Sequence, residues 1–266
     1  ITVEVIFAGL FGAIVWNLIT WYGGIPSSSS HALLGGFGGA AIVHAAKWEG
    51  VLETAKVVLT VEFIVIAPLV GLALGLFCAF IVMWVFRKAS PIKIDRWFRR
   101  VQLWTAAAYS LGHGMNDAQK TMGIIAALLY ASIWKSQQAA FAAGKVTFPF
   151  WIVLVCHLAI ALGTMAGGWR IVKTMGMRIT KLRPYDGACA ELAAATSLFG
   201  ATALGVPVST THTITGAIIG VGAVHRLSAV RWGVARRVVW AWVLTIPCSA
   251  VVAAAVYWVL AFLQHH

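Results

Sequence analysis

Charge is the first thing this sequence lacks. Only 11% of its 266 residues are charged, well under the share in an ordinary soluble domain, and acids are the scarcer kind, 8 against 20 Lys and Arg. With 61% hydrophobic residues and a mean hydropathy of +0.87, this excludes a water-soluble globular chain. Chemical signatures are missing too: there is no C-x-x-C pair, no H-E-x-x-H, no P-loop and no G-x-S-x-G elbow. A metalloenzyme, an ATP-driven pump within the chain and an elbow-type hydrolase are therefore unsupported. The four cysteines, Cys78, Cys156, Cys189 and Cys248, are scattered through apolar segments and read as small buried hydrophobes. No run of alternating polarity about ten residues long suggests a membrane barrel. An initial Met and a cleavable signal are also lacking, so the chain is expected to be N-terminally truncated.

What is present is a set of continuous apolar runs, which predicts an all-α integral membrane protein, because about 20 such residues span a bilayer as a helix. One stretch occurs twice. A single constant offset carries Gly24, Pro26, Ser28, His31, Gly35, Gly39, Val43 and His44 onto Gly205, Pro207, Ser209, His212, Gly216, Gly220, Val224 and His225. Ser29 and Ser30 fall on Thr210 and Thr211, so the hydroxyls are matched as well. Gly-x-Pro followed by hydroxyl residues reads as a helix stop, a turn and the capped start of the next helix. Such a start aims unpaired N–H groups outward and favours an anion.

In chain order, residues 3 to 22 are a first apolar segment, 31 to 46 a small-residue helix, and 57 to 86 a long span with Pro68 inside it. Arg87 to Arg100 is read as a loop with six basic residues and one acid. Val101 to Trp134 is apolar except for the polar stretch 111 to 121, whose Gly112 and Gly114 suggest a broken helix at mid-depth. Further spans are expected at 148 to 168 and 238 to 263, with a segment at 186 to 204 and a returning helix at 212 to 225 that either span or dip in as a re-entrant pair, and basic residues lie between Arg170 and Arg183 and from Arg226 to Arg237. Pro247 matches Pro68 after a two-residue shift.

The net charge of +12 lies mostly in these short connections, which fits the positive-inside rule rather than nucleic-acid binding. Lys47 to Lys56 carries two lysines and two glutamates, whereas its counterpart after the second copy carries four arginines and no acid. The first is therefore placed outside and the second in the cytoplasm, with 87 to 100 and 170 to 183 also inside and 135 to 147 outside. Two similar units of opposite orientation are the inverted-repeat signature of a secondary transporter, with broken or re-entrant helices at the Gly-x-Pro-x-Ser turns. The units expected are residues 1 to 86, the basic segment 87 to 100, and residues 101 to 266.

Candidate binding residues follow. Ser28, Ser29, Ser30, Ser209, Thr210 and Thr211 supply donors for an oxyanion, with simple capping as the alternative. Asp117 is an acid at membrane depth, functional by default, with a salt bridge to Lys120 as the alternative. Asn116, Asp117 and Gln119 together offer hard oxygen ligands suited to sodium. His31 and His212 are either helix-start residues bonded to backbone or a proton relay. Glu62 and Glu191 are weaker candidates near segment ends.

At these residues the sequence resembles the inorganic phosphate transporter family of cation-coupled symporters. Gly114-Met115-Asn116-Asp117 fits the G-x-N-D element, both turns fit G-x-P-x-S-[ST]-[ST]-H, and the run from Gly112 to Gly123 looks like the bacterial branch. The resemblance implies phosphate transport, not catalysis, with no cofactor beyond a co-transported proton or sodium ion. Phosphate would be held by the six hydroxyl residues and Asp117, and the cation by Asn116, Asp117 and Gln119. It further implies a multi-pass protein of the bacterial inner membrane, phosphate carried free or as a metal–phosphate complex, and a homodimer. The first repeat's G-x-N-D element would lie before Ile1, and Lys120 stands where many members have Asn. A sulfate or other oxyanion permease is the alternative reading; an intramembrane serine hydrolase using Ser30 and His31 is a remote one.

Overall fold

An apolar run surrounded by hydrocarbon can satisfy its backbone only within itself, by i→i−4 hydrogen bonds. The computed structural model describes residues 2–48, 50–134, 148–206 and 208–264, and every regular element among them is helical. These are α1 (Val3–Tyr22), α2 (Ser29–Ala45), α3 (Thr54–Val85), α4 (Pro91–Ser132) and α5 (Phe150–Gly167). After them come the short α6 (Trp169–Lys173), a π-helical turn (Thr174–Ile179), α7 (Pro184–Ala203), α8 (Thr210–His225) and α9 (Trp232–Gln264). Four of these contain segments long and apolar enough to cross a membrane: α1, α3, α5 and α9. Their outward faces carry exposed Phe77, Phe80, Leu162, Val251 and Trp258, a surface that suits lipid and would aggregate in water.

Inside a bilayer apolar area gives little reason for helices to associate, so close packing must supply it, and small residues let the backbones approach. Gly216 and Gly220 of α8 rest on Pro68 and Leu72 of α3, while Gly35 and Gly39 of α2 rest on Ile246 and Ala250 of α9. A Cβ at Gly216 would stand 2.0 Å from the Pro68 carbonyl oxygen, and one at Gly39 2.3 Å from that of Ala250. In both pairs the residue numbers rise together, so α2 runs parallel to α9 and α8 parallel to α3. Moreover, α1 packs on α2 and α9, and α7 packs on α8 and α3. Two three-helix units, α1 to α3 and α7 to α9, thus exchange partners: the short second helix of each lies on the long third helix of the other.

Three expectations need correction. The polar stretch 111 to 121 is not broken, because α4 continues through it as one helix. Two glycines cost a helix only about 1 kcal/mol each relative to Ala, too little to break it where α4 packs on α7. Nor is 87 to 100 a loop: Ser90 takes the N-cap position, Pro91 the N1 position its ring geometry favours, and helix follows. Arg236 and Arg237 likewise lie within α9, and much of 170 to 183 is helical. The connection 135 to 147 and Pro207 lie outside the described residues.

Candidate functional site

Both Gly-x-Pro turns are built the same way. Gly24 and Gly205 take left-handed φ values of 62° and 66°, which glycine reaches without a Cβ penalty. Each donates its N–H back into the preceding helix, to Trp21 O at 2.9 Å and Thr202 O at 3.1 Å, and the next residue, Ile25 or Val206, does the same to Thr20 or Ala201. The chain then re-enters as helix. Ser28 and Ser209 are the N-caps, their Oγ atoms accepting from the backbone N–H of His31 at 3.3 Å and His212 at 3.4 Å. Both are buried. Capping therefore accounts for the geometry of these two serines, while the next residues are left to face the site.

α4 supplies the other side. Because it is continuous, residues three and four apart share a face, which sets His113, Asp117 and Lys120 in one row. The Lys120 ammonium donates to Ser30 Oγ at 2.6 Å and to Asp117 Oδ1 at 3.2 Å. The other carboxylate oxygen, Oδ2, accepts a long bond from Thr210 Oγ1 at 3.5 Å and lies 3.6 Å from His113 Nε2. One carboxylate–ammonium pair thus joins the start of α2, through Ser30, to the start of α8, through Thr210. Behind it the rings of His31 and His212 meet at 4.8 Å between centroids, and His212 leans on Trp242 at 4.0 Å. Both histidines are buried, and among the described residues neither nitrogen of His212 nor Nδ1 of His31 has a hydrogen-bond partner.

The charges suit an anion. Asp117 and Lys120 nearly cancel, whereas each helix start contributes roughly half a positive charge, so the balance at the junction is positive without a dense cluster of fixed cations. Hydroxyl and helix N–H donors around such a point can hold an oxyanion and release it again.

Of the residues expected from sequence, Ser28, Ser30, Ser209, Thr210, His31, His212 and Asp117 are brought together. Ser29 is exposed and Thr211 half-buried, each beside the cluster along its helix. Of the residues expected to form a cation shell, Asn116 is buried and Gln119, two residues from Asp117 on an unbroken helix, is exposed and points away from it. Glu62 is exposed, and Glu191 accepts from Thr105 Oγ1 at 2.7 Å, away from the junction. His113 was missed by sequence reasoning, although its i,i+4 spacing to Asp117 was there to be found.

Residues 1–253 match the phosphate transporter family. A protein of Rhizobium meliloti described as "Probable low-affinity inorganic phosphate transporter" is 52% identical over 261 residues, which is 97% of this chain and 74% of that protein. A protein of Bacillus subtilis with the same description is 45% identical over 96% of this chain and 74% of its own length. Among solved structures, one titled "The sodium-dependent phosphate transporter" superimposes with a TM-score of 0.77 at 24% identity, covering 97% of this chain and 80% of that one. At that identity the likeness speaks for the fold. With its apolar helices and bacterial relatives, the molecule is a multi-pass protein of a bacterial plasma membrane.

Proposed function

Since the chain belongs to the phosphate transporter family, and is a transporter and not an enzyme, we propose that it carries inorganic phosphate across the membrane by symport with a cation, a proton or sodium. The observation that carries this reading is the junction of two helix starts on the Asp117–Lys120 pair, with Ser30 and Thr210 already bonded to it. Phosphate would take the outward hydroxyls and N–H groups of α2 and α8, displacing Lys120 from Ser30 toward itself. Asp117 then faces an anion in a poorly screened place, and their repulsion is relieved only if a cation arrives too. That repulsion is the coupling: the loaded site is stable only with both ligands aboard.

The repeat assignment rests on the same geometry. Residues 1 to 86 and 101 to 266 act as the two inverted repeats, supported by the exchanged pairing of α2 with α9 and α8 with α3. Phosphate free or as a metal complex, and a homodimer, remain parts of the proposal. The test is uptake of labelled phosphate into vesicles carrying the full-length protein, with proton and sodium gradients imposed separately and sulfate or arsenate as competitors. Accumulation that follows one cation gradient and resists sulfate is expected. Competition by sulfate as strong as by unlabelled phosphate would replace the reading by a general oxyanion permease.

A further inference from the structure

Two adjoining cavities lie away from the junction, at the end of the helices that sequence charge places in the cytoplasm. Between the end of α3, the start of α4 and the start of α7 there is a cavity of about 330 Å³ whose charged lining is Arg87, Arg183 and Asp95. Among the described residues none of these three is in an ion pair. The rest of its wall is mostly apolar, including Val82, Met83 and Phe86. A second cavity of about 180 Å³ shares Val82 with the first and continues it about a turn deeper along the same three helices, past Cys78, Val101 and Leu192. The shared level is marked by aromatic rings: Trp97 lies 5.1 Å from Phe98, which lies 6.2 Å from Tyr185, and the Arg87 guanidinium sits 5.6 Å over the Trp84 ring. Tryptophan and tyrosine collect at the membrane–water boundary, so the charged cavity is at headgroup depth and the apolar one at acyl-chain depth.

We propose that this paired cavity binds one phospholipid with an ethanolamine-type headgroup. Two guanidiniums answer the lipid phosphate, with planar donors suited to its oxygens. Asp95 answers the primary ammonium, and it would instead repel a purely anionic headgroup. The apolar slot takes the upper part of an acyl chain between α3, α4 and α7. Such a lipid ties the α3–α4 turn to the start of α7, and so holds the first unit against the second at a place other than the transport junction.

The experiment is native mass spectrometry of the full-length protein, released from detergent after incubation with phosphatidylethanolamine, phosphatidylglycerol or phosphatidylcholine in turn. Wild type should retain one phosphatidylethanolamine under conditions that strip the other two. Arg87→Gln with Arg183→Gln should weaken retention roughly thirtyfold. Asp95→Asn should keep binding but lose the preference over phosphatidylglycerol, and Lys88→Gln, outside the cavity, should change nothing. Equal retention in wild type and the double arginine variant, with both melting alike, would overturn the site. So would preference for phosphatidylglycerol in wild type, or displacement of the lipid by free inorganic phosphate, which would make the cavity a simple anion site.

Discussion

At the scale of single residues, the contact that matters most is the Lys120 ammonium between Ser30 and Asp117. Asp117→Asn keeps the shape, removes the repulsion toward phosphate and frees Lys120 to meet the anion. Phosphate binding should therefore survive while accumulation against a gradient is abolished. Vesicle uptake with imposed gradients, set beside equilibrium binding, checks this, and accumulation at the wild-type level would return Asp117 to a structural partner of Lys120. The serines divide by role. Ser28→Ala and Ser209→Ala remove caps and should lower stability by about 1 kcal/mol each, read as a lower melting temperature. Ser30→Ala and Thr210→Val remove outward hydroxyls; phosphate affinity should fall roughly five- to a hundredfold, the range of about 1 to 3 kcal/mol for a buried donor, as measured by equilibrium binding. The caps were legible because Gly-x-Pro-x-Ser states a local conformation. The bond from Lys120 to Ser30 was not, since it joins residues 90 apart in sequence and no local pattern encodes it.

Elements show where local reading misleads. Gly112 and Gly114 read as a break in α4 because glycine weakens an isolated helix, yet α4 runs through them unbroken and packs on α7. That continuity decides which side chains face the junction and brings His113 to it. The small-residue run of α2, by contrast, is legible as a face for close approach, and the repeat carries Gly35 and Gly39 onto Gly216 and Gly220 of α8. Gly39→Ala and Gly216→Ala should each force the helix pairs apart, costing about 1 to 3 kcal/mol, because in both the obstructing atom is a backbone carbonyl that cannot rotate away. Thermal melts in detergent check the cost, and an unchanged melting temperature in both would mean that the backbones are not so close.

For the whole molecule, loop charge gives an expected orientation, and it makes a labelling prediction. A cysteine at Thr54 should react with an impermeant reagent from outside, and one at Ser228, exposed in the turn before α9, only from the cytoplasm. Reaction of both from one side would remove the inverted-repeat reading. Which helix each repeat leans on was not legible, because a periodic glycine face states that a neighbour comes close without saying which one.

The exchanged pairing also orders the protein's manufacture. The glycine face of α2 leaves the ribosome well before the surface that fits it, which belongs to α9. Until α9 is threaded into the membrane, α2 has only α1 to rest on, and Ser30 lacks half of the support that holds it toward Lys120. The junction is therefore closed only after α9 is in place, long after Ser30 itself has been made.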